Sequence, residues 1–458
     1  MTWPTLRSLA PTLVLVVTLL AGLGVAVARG DVVGAVLTVL VVGLTGVVQS
    51  FSRRHLRGDP RAGRFLAYST AFAGASVVAV TASTLVVLAA GWSAASVFMA
   101  LLLATGGAPQ TAVAVRRAGV AFVVGDLALW GAVALTVASL GTTGFADLAD
   151  LGPVAAAAVG ALIAVAAVAR AASVPFHGWL SATVASTTPV SALLHAGFVN
   201  AGALLLLRTD AVPSFAGPLV VGVSGALTVV IAGAAMLTRS DVKGRLVQST
   251  AAQMGFMLVA CSLGAFAVAL VHVVGHALFK ASLFLGAGSA MERAVSGRAA
   301  PRTDRDPRMP LLAALAVIAV AVAAVIGTAA WTSPSAVLLL FVVTTAAVAA
   351  AQLAGGALSS AARLAGVALV GGAVVTYVFA VGGLGGLLGL PPAAAAMPPA
   401  LAVATFAAGL AVAFLAQTRG ALADRAYVFA LGWGRPPLPV SSSVPAGSSG
   451  PREYRSAS

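Results

Sequence analysis

The sequence has one cysteine, Cys261, in 458 residues, so no disulfide can close within the chain. Charged residues are scarce as well, at 8%, where soluble domains carry about 25%. Lysine is nearly missing: Lys243 and Lys280 stand against 24 arginines, the 26 basic residues less those two. There are five histidines. No stretch reads as a strand, so no glycine-rich phosphate loop follows one. No Ser-His-Asp arrangement is visible either. These absences exclude a disulfide-stapled secreted domain, a nucleotide-binding α/β enzyme and a soluble globular core.

What is present is apolar. Hydrophobic residues make up 60% of the chain, with 50 glycines, and the mean hydropathy is +1.05. A membrane-crossing helix needs about 20 mostly apolar residues, and such runs fill the chain almost end to end. Lipid offers no partner for a free backbone group, so the spans are helices. The expectation is an all-α polytopic membrane protein with about 14 transmembrane helices. Small residues let such helices approach closely. The formal charge of +14 falls in short arginine-rich loops. It reads as the positive-inside signal and not as a nucleic-acid surface.

The apolar runs lie near 9–28, 32–50, 65–82, 84–104, 117–140, 154–187, 189–208, 217–238, 245–262, 265–290, 310–329, 336–354, 361–381 and 398–417. "AVARG" after the first run resembles a cleavage site, but the run is long and further spans follow at once, so it is read as a retained helix. The run 154–187 is interrupted at "RAASVPFHGW", where Pro175 has no N–H to give. A partner for this break is sought near "HVVGHALFK". Basic loops after 50, at 239–245 and at 292–308 fall on one side, which places both termini in the cytoplasm. Residues 1–433 form the membrane domain. The Pro/Ser/Gly-rich 434–458 reads as a disordered cytoplasmic tail.

Polar groups at membrane depth are costly and mark function. The set is short: Asp126, Arg170, His177, His195, His272, His276, Lys280 and Arg363. His272, His276 and Lys280 recur at i, i+4, i+8, which places them on one helix face. Three titratable groups in that register suit proton relay, since histidine titrates near neutral pH. Plain helix–helix hydrogen bonding is the competing reading. A zinc site would need a third ligand, and position 273 carries valine where the zinc motif has glutamate, so no metal is assigned. Ser249, Thr250 and Gln253 cluster at the start of 245–262 as supporting polar groups.

The ordered segments "RFLAYSTAFAGASVVAVTASTLVVLAAGW", "VVGD", "VPFHGWL", "PVSALLHAGFVNAGALLLLR", "DVKGRLVQSTAAQMGFM" and "HVVGHALFKASLFLGAGS" resemble antiporter-like subunits of respiratory complex I and of multisubunit cation/proton antiporters. The resemblance covers about residues 32–290. It implies two inverted five-helix repeats, each with a broken helix. Two positions depart from it. Ser93 follows Trp92 where proton-translocating members carry glutamate, and Arg170 stands where they carry lysine. No Asp, Glu, Lys or His occurs between 311 and 418, so the terminal lysine is missing too. What remains resembles the DabB-type membrane subunit of inorganic-carbon accumulation complexes.

That resemblance implies a cytoplasmic partner, a DabA-like zinc protein similar to β-carbonic anhydrases. It implies ion flow, by protons, that drives carbon uptake across a bacterial plasma membrane. Zinc is expected in the partner and no cofactor in this chain, which is expected to carry no catalytic chemistry of its own. His195, His272, His276 and Lys280 would be the relay. Arg170, His177 and Asp126 would form a charged site at the helix break, with Asp126 as counter-ion. A cation/proton antiporter or NADH-quinone oxidoreductase subunit is the alternative reading, and a scaffold subunit a third.

Overall fold

A computed structural model describes residues 3–107, 109–295, 308–327, 336–355, 359–388, 397–418 and 420–434. Helices α1 (Trp3–Ala28), α2 (Val32–His55), α3 (Ala62–Val80), α4 (Leu85–Ala104) and α5 (Pro109–Leu140) are followed by α6 (Pro153–Arg170) and the short α7 (Gly178–Ala182). Then come α8 (Thr188–Ala196), α9 (Ala201–Arg208), α10 (Ala216–Leu237), α11 (Val242–Ser262) and α12 (Phe266–Val295). The remainder is α13 (Met309–Gly327), α14 (Ala336–Gly355), α15 (Ser360–Leu387), α16 (Ala400–Leu415) and α17 (Ala421–Gly434).

Among the described residues, twelve helical stretches are long and apolar enough to cross a membrane. The more polar α11 and the shorter α16 pack beside them. With α6–α7 and α8–α9 each taken as one span, the fourteen expected spans are accounted for. The all-α fold is therefore as the hydropathy pattern predicts. Apolar side chains such as Leu20, Leu127, Leu311 and Leu369 face outward, as lipid contact requires. The main core gathers Phe72, Trp179, Phe198, Met254 and Phe284. A separate cluster, including Val317, Leu339 and Val378, holds α13, α14 and α15 together.

Three details differ from the sequence reading. First, α12 runs unbroken through "HVVGHALFK". That stretch has no proline, and polar side chains at helical spacing do not disturb the backbone ladder, so it is no partner for the break near Pro175. The second discontinuity lies instead inside 188–208. There α8 stops at Ala196, a 3-10 turn spans Phe198–Asn200, and α9 resumes. Asn200 Nδ2 donates to the carbonyl of Ala196 at 2.7 Å, which satisfies an acceptor freed by the interruption. Second, α17 lies in a stretch that the hydropathy pattern leaves unassigned; at fourteen residues it is too short to span. Third, Gly434, the first residue of the expected tail, is the last residue of that helix. The rest of the expected tail and most of the 292–308 loop lie outside the described residues.

The pair α10 and α11 shows why glycine is needed. A Cβ on Gly225 would lie 2.7 Å from the carbonyl oxygen of Gly255, and one on Gly255 would lie 2.6 Å from that of Gly225. Both obstacles are backbone, so neither can step aside. Gly255→Leu is expected to force the two helices apart and to cost at least the roughly 1–3 kcal/mol typical of overpacking. A thermal melt of the detergent-purified protein checks this. An unchanged midpoint would mean the helices do not pack as described.

Candidate functional site: a buried charge pair and a histidine row

The chain after α6 turns sharply. Ala172 takes a left-handed backbone conformation, with φ at 50°. The Ser173 amide closes onto the Val168 carbonyl at 3.1 Å. Trp179 Nε1 donates to the Ala169 carbonyl at 2.9 Å, which satisfies another acceptor at the end of α6. The bend is pinned to α10 from both sides. The Val174 amide donates to Thr228 Oγ1 at 2.8 Å, and Ser224 Oγ donates to the Val174 carbonyl at 2.5 Å. This fixes Arg170, the last residue of α6, at a defined place.

Arg170 is 3% exposed. Its Nη2 donates to Ser96 Oγ at 2.7 Å and to the Trp92 carbonyl at 3.1 Å. It lies 3.4 Å from Asp126 Oδ1 on α5. The guanidinium carbon stands 3.8 Å from the centroid of Trp92 and 4.1 Å from that of Phe198. A buried cation is tolerable when it is paired, hydrogen-bonded and faced by aromatic π-density, and all three hold here. Ser93 accepts from Trp130 Nε1 at 3.1 Å. Ser96, Trp92 and Phe198 were missed from sequence as ligands of the arginine. The spacing of Trp92 and Ser96, one helical turn apart, was the available signal.

His177 sits just past the bend. Its ring stacks on Trp433 of α17, centroids 4.0 Å apart. It thus faces the C-terminal helix, and the 171–177 bend stands between it and Arg170.

The second group lies across the core. Lys280 is 1% exposed. Its Nζ donates to Ser249 Oγ at 2.6 Å and reaches the Leu246 carbonyl at 3.5 Å. Ser249 and Thr250 each donate to that same carbonyl at 2.9 Å. One turn from Lys280 is His276, and one turn further is His272. The two imidazoles lie 5.7 Å apart, nearly parallel. His195 on α8 is fully buried and stacks on Phe284 at 4.4 Å. Phe284 belongs to α12 and lies one helical turn past Lys280. So the structure brings His195 and the α12 row into one cluster, backed by Ser249 and Thr250 of α11. Arg170 and Asp126 form a second, separate cluster.

Several atoms here have no protein partner among the described residues: both ring nitrogens of His195 and His276, Nε2 of His272, and Oε1 of Gln253. Polar atoms buried in this way are expensive unless they are hydrogen-bonded. A neutral imidazole donates at one nitrogen and accepts at the other, which is the property a proton relay uses. Lys243 was read from sequence as a loop residue. It is half-buried at the start of α11, and its Nζ donates to the Ser186 carbonyl. Among the described residues no three His, Cys, Asp or Glu side chains converge as metal ligands would.

Fold and site together define a multi-pass membrane protein of antiporter-like architecture, with ionisable groups buried at its centre. Residues 82–362 match the NADH:quinone oxidoreductase/Mrp antiporter transmembrane family. The chain belongs to that family, as an antiporter-like subunit of the DabB type. It is 32% identical over 369 residues to the probable inorganic carbon transporter subunit DabB of Bacillus subtilis, covering 76% of this chain and 70% of that one. It is 32% identical over 284 residues to DabB2 of Halothiobacillus neapolitanus, covering 59% and 51%. It is also 34% identical over 271 residues to NADH-quinone oxidoreductase subunit L of Escherichia coli, covering 56% and 44%. The chain spans about half the length of most of the curated relatives it matches. Among solved structures, the Mrp complex from Dietzia sp. DQ12-45-1b aligns over 88% of this chain and 44% of its own, at a TM-score of 0.54 and 28% identity. Respiratory complex I from Thermus thermophilus aligns over 88% and 84%, at 0.53 and 18% identity, a likeness of fold alone.

Proposed function

We propose that this chain is the membrane half of an inorganic-carbon accumulation system and that it couples ion movement, by protons, to carbon uptake. The observation that carries the reading is the buried cluster of His195, His272, His276 and Lys280, in a chain that lacks the glutamate, lysine and terminal lysine of its proton-pumping relatives. The names of its DabB relatives support the carbon cargo. A proton entering the cluster can pass between imidazoles and a lysine one helical turn apart. Arg170 stays protonated at any working pH, so its part is that of a fixed charge. The basic loops support a cytoplasmic position for the arginine-rich face, by the positive-inside rule, and the reading assigns the chain to a bacterial plasma membrane.

A partner would supply the carbon chemistry. The reading assigns a DabA-like zinc protein, similar to β-carbonic anhydrases, to the cytoplasmic face. Zinc is assigned to that partner; among the described residues of this chain no set of three ligands converges. The test is complementation. Co-expressed with such a partner, the chain should restore growth of a carbonic-anhydrase-deficient host at ambient CO2. Failure there, together with rescue of a sodium-sensitive host lacking its own antiporters, would move the chain to the cation/proton antiporters.

A further inference from the structure

We infer that ions cross this chain by a single route along α11 and α12, from Lys243 on the arginine-rich side to His272 on the arginine-poor side, and that α13–α16 carry no part of it. This rests on the transport reading above. The first support is a census. Between residues 311 and 418 the sequence has no Asp, Glu, Lys or His. Its one charged side chain, Arg363, cannot give up its proton at any working pH. In the first half, Asp126 is paired with Arg170, and Arg170 is a fixed charge for the same reason. Apart from His177 at the bend and the Tyr377 hydroxyl on α15, the side chains that can exchange a proton within the core therefore lie on α8, α11 and α12.

The second support is reach. An α-helix rises about 1.5 Å per residue. Lys243 and Ser249 are six residues apart on α11, or about 9 Å. Ser249 accepts directly from Lys280, which hands the line to α12. From Lys280 to His272 is eight residues, about 12 Å along that helix. From His272 to Phe266, the first residue of α12, is about 9 Å more. The two helices run antiparallel, so these steps add in one direction and together approach the thickness of a hydrocarbon core, about 30 Å. His195 flanks the middle of the line from α8.

The third support is at the two ends. On the arginine-rich side, Lys243 meets the Ser186 carbonyl, and Gln248 Nε2 donates to Ser181 Oγ at 3.0 Å. Polar contacts thus continue from the buried serine to the surface turn. On the other side, a crevice of about 360 Å³ opens between α6, α9, α10, α11 and α12 and is lined by Asp210, Ser214, Ser262 and Phe266. It reaches the first residue of α12, within two helical turns of His272. His272 Nε2 has no protein partner among the described residues and is the last imidazole on that line.

Tyr377 is the sharpest rival. Its hydroxyl is buried in α15 with no protein partner among the described residues, so a path through the second half would have to use it. Ion-driven carbon uptake in cells carrying the full complex separates the two routes. His272→Gln should reduce the rate at least tenfold, and Tyr377→Phe should leave it unchanged. With Cys261 replaced by serine, His272→Cys should react with a membrane-impermeant maleimide added outside, and Lys243→Cys only in inverted vesicles. Parental uptake in His272→Gln, a tenfold loss in Tyr377→Phe, or labelling of His272→Cys only in inverted vesicles would each overturn the route. If Lys280→Ala is impaired while His272→Gln is not, only the route falls. If neither is impaired, the transport reading falls with it.

Discussion

Lys280→Ala is expected to abolish carbon accumulation while the complex still assembles. Lys280 is one of two lysines in the chain and is buried to 1% exposure, with Ser249 Oγ 2.6 Å from its ammonium. Its removal leaves Ser249 with its own bond to the Leu246 carbonyl. No buried partner is orphaned, and the helix keeps its backbone bonds. The fold should therefore survive. The relay loses the group that hands the proton from α12 to α11. A loss of at least about tenfold corresponds to 1.4 kcal/mol or more on the limiting step. Lys280→Arg sharpens the test: arginine keeps the charge and holds its proton. If release of the proton matters, arginine should fail as alanine does. If the charge alone matters, arginine should rescue. The measurement is growth at ambient CO2 of a carbonic-anhydrase-deficient host, at matched membrane abundance. Undiminished growth with Lys280→Ala would end the relay reading.

The sequence reads well where a single helix carries the pattern. His272, His276 and Lys280 are on one face because two successive turns of one α-helix put them there, and hydropathy alone delimits fourteen spans. It reads poorly where the pattern depends on two helices meeting. Nothing in the local sequence says that Ser249 would face Lys280, or that Trp92 and Phe198 would sandwich Arg170. These contacts come from the packing of α11 on α12, and from α4 and the Phe198–Asn200 turn meeting at the end of α6. The break at Gly197 is hidden for a related reason. It lacks proline, and Asn200 restores the lost hydrogen bond locally, so the hydropathy profile runs smoothly through it. The α17 helix was missed because it is too short to span.

The structure also changes what is expected of Arg170. Its guanidinium is stacked between two aromatic rings and joined to Asp126, Ser96 and the Trp92 carbonyl, so it has a structural role besides its charge. Removing one member of a buried pair leaves the other uncompensated and costs about 3–5 kcal/mol. The Asp126 side chain is 19% exposed, so the lower end of that range applies. Arg170→Gln should therefore lose both stability and transport, whereas Arg170→Lys keeps the charge but gives up the flat stacking. The double variant Arg170→Gln with Asp126→Asn separates the two effects. It removes both charges, so no ion is left unpaired, and the neutral amides can still hydrogen-bond Ser96. Its thermal midpoint should recover most of what Arg170→Gln loses, because the two residues are in contact and their effects do not add. Its carbon-uptake rate should stay low, because the fixed positive charge has gone. Arg170→Lys should show the converse, a lowered midpoint with substantial uptake. If the double variant regains the parental uptake rate along with its stability, Arg170 serves to hold α4, α5 and α6 together, and the ion-coupling chemistry lies wholly with His195 and the α12 row.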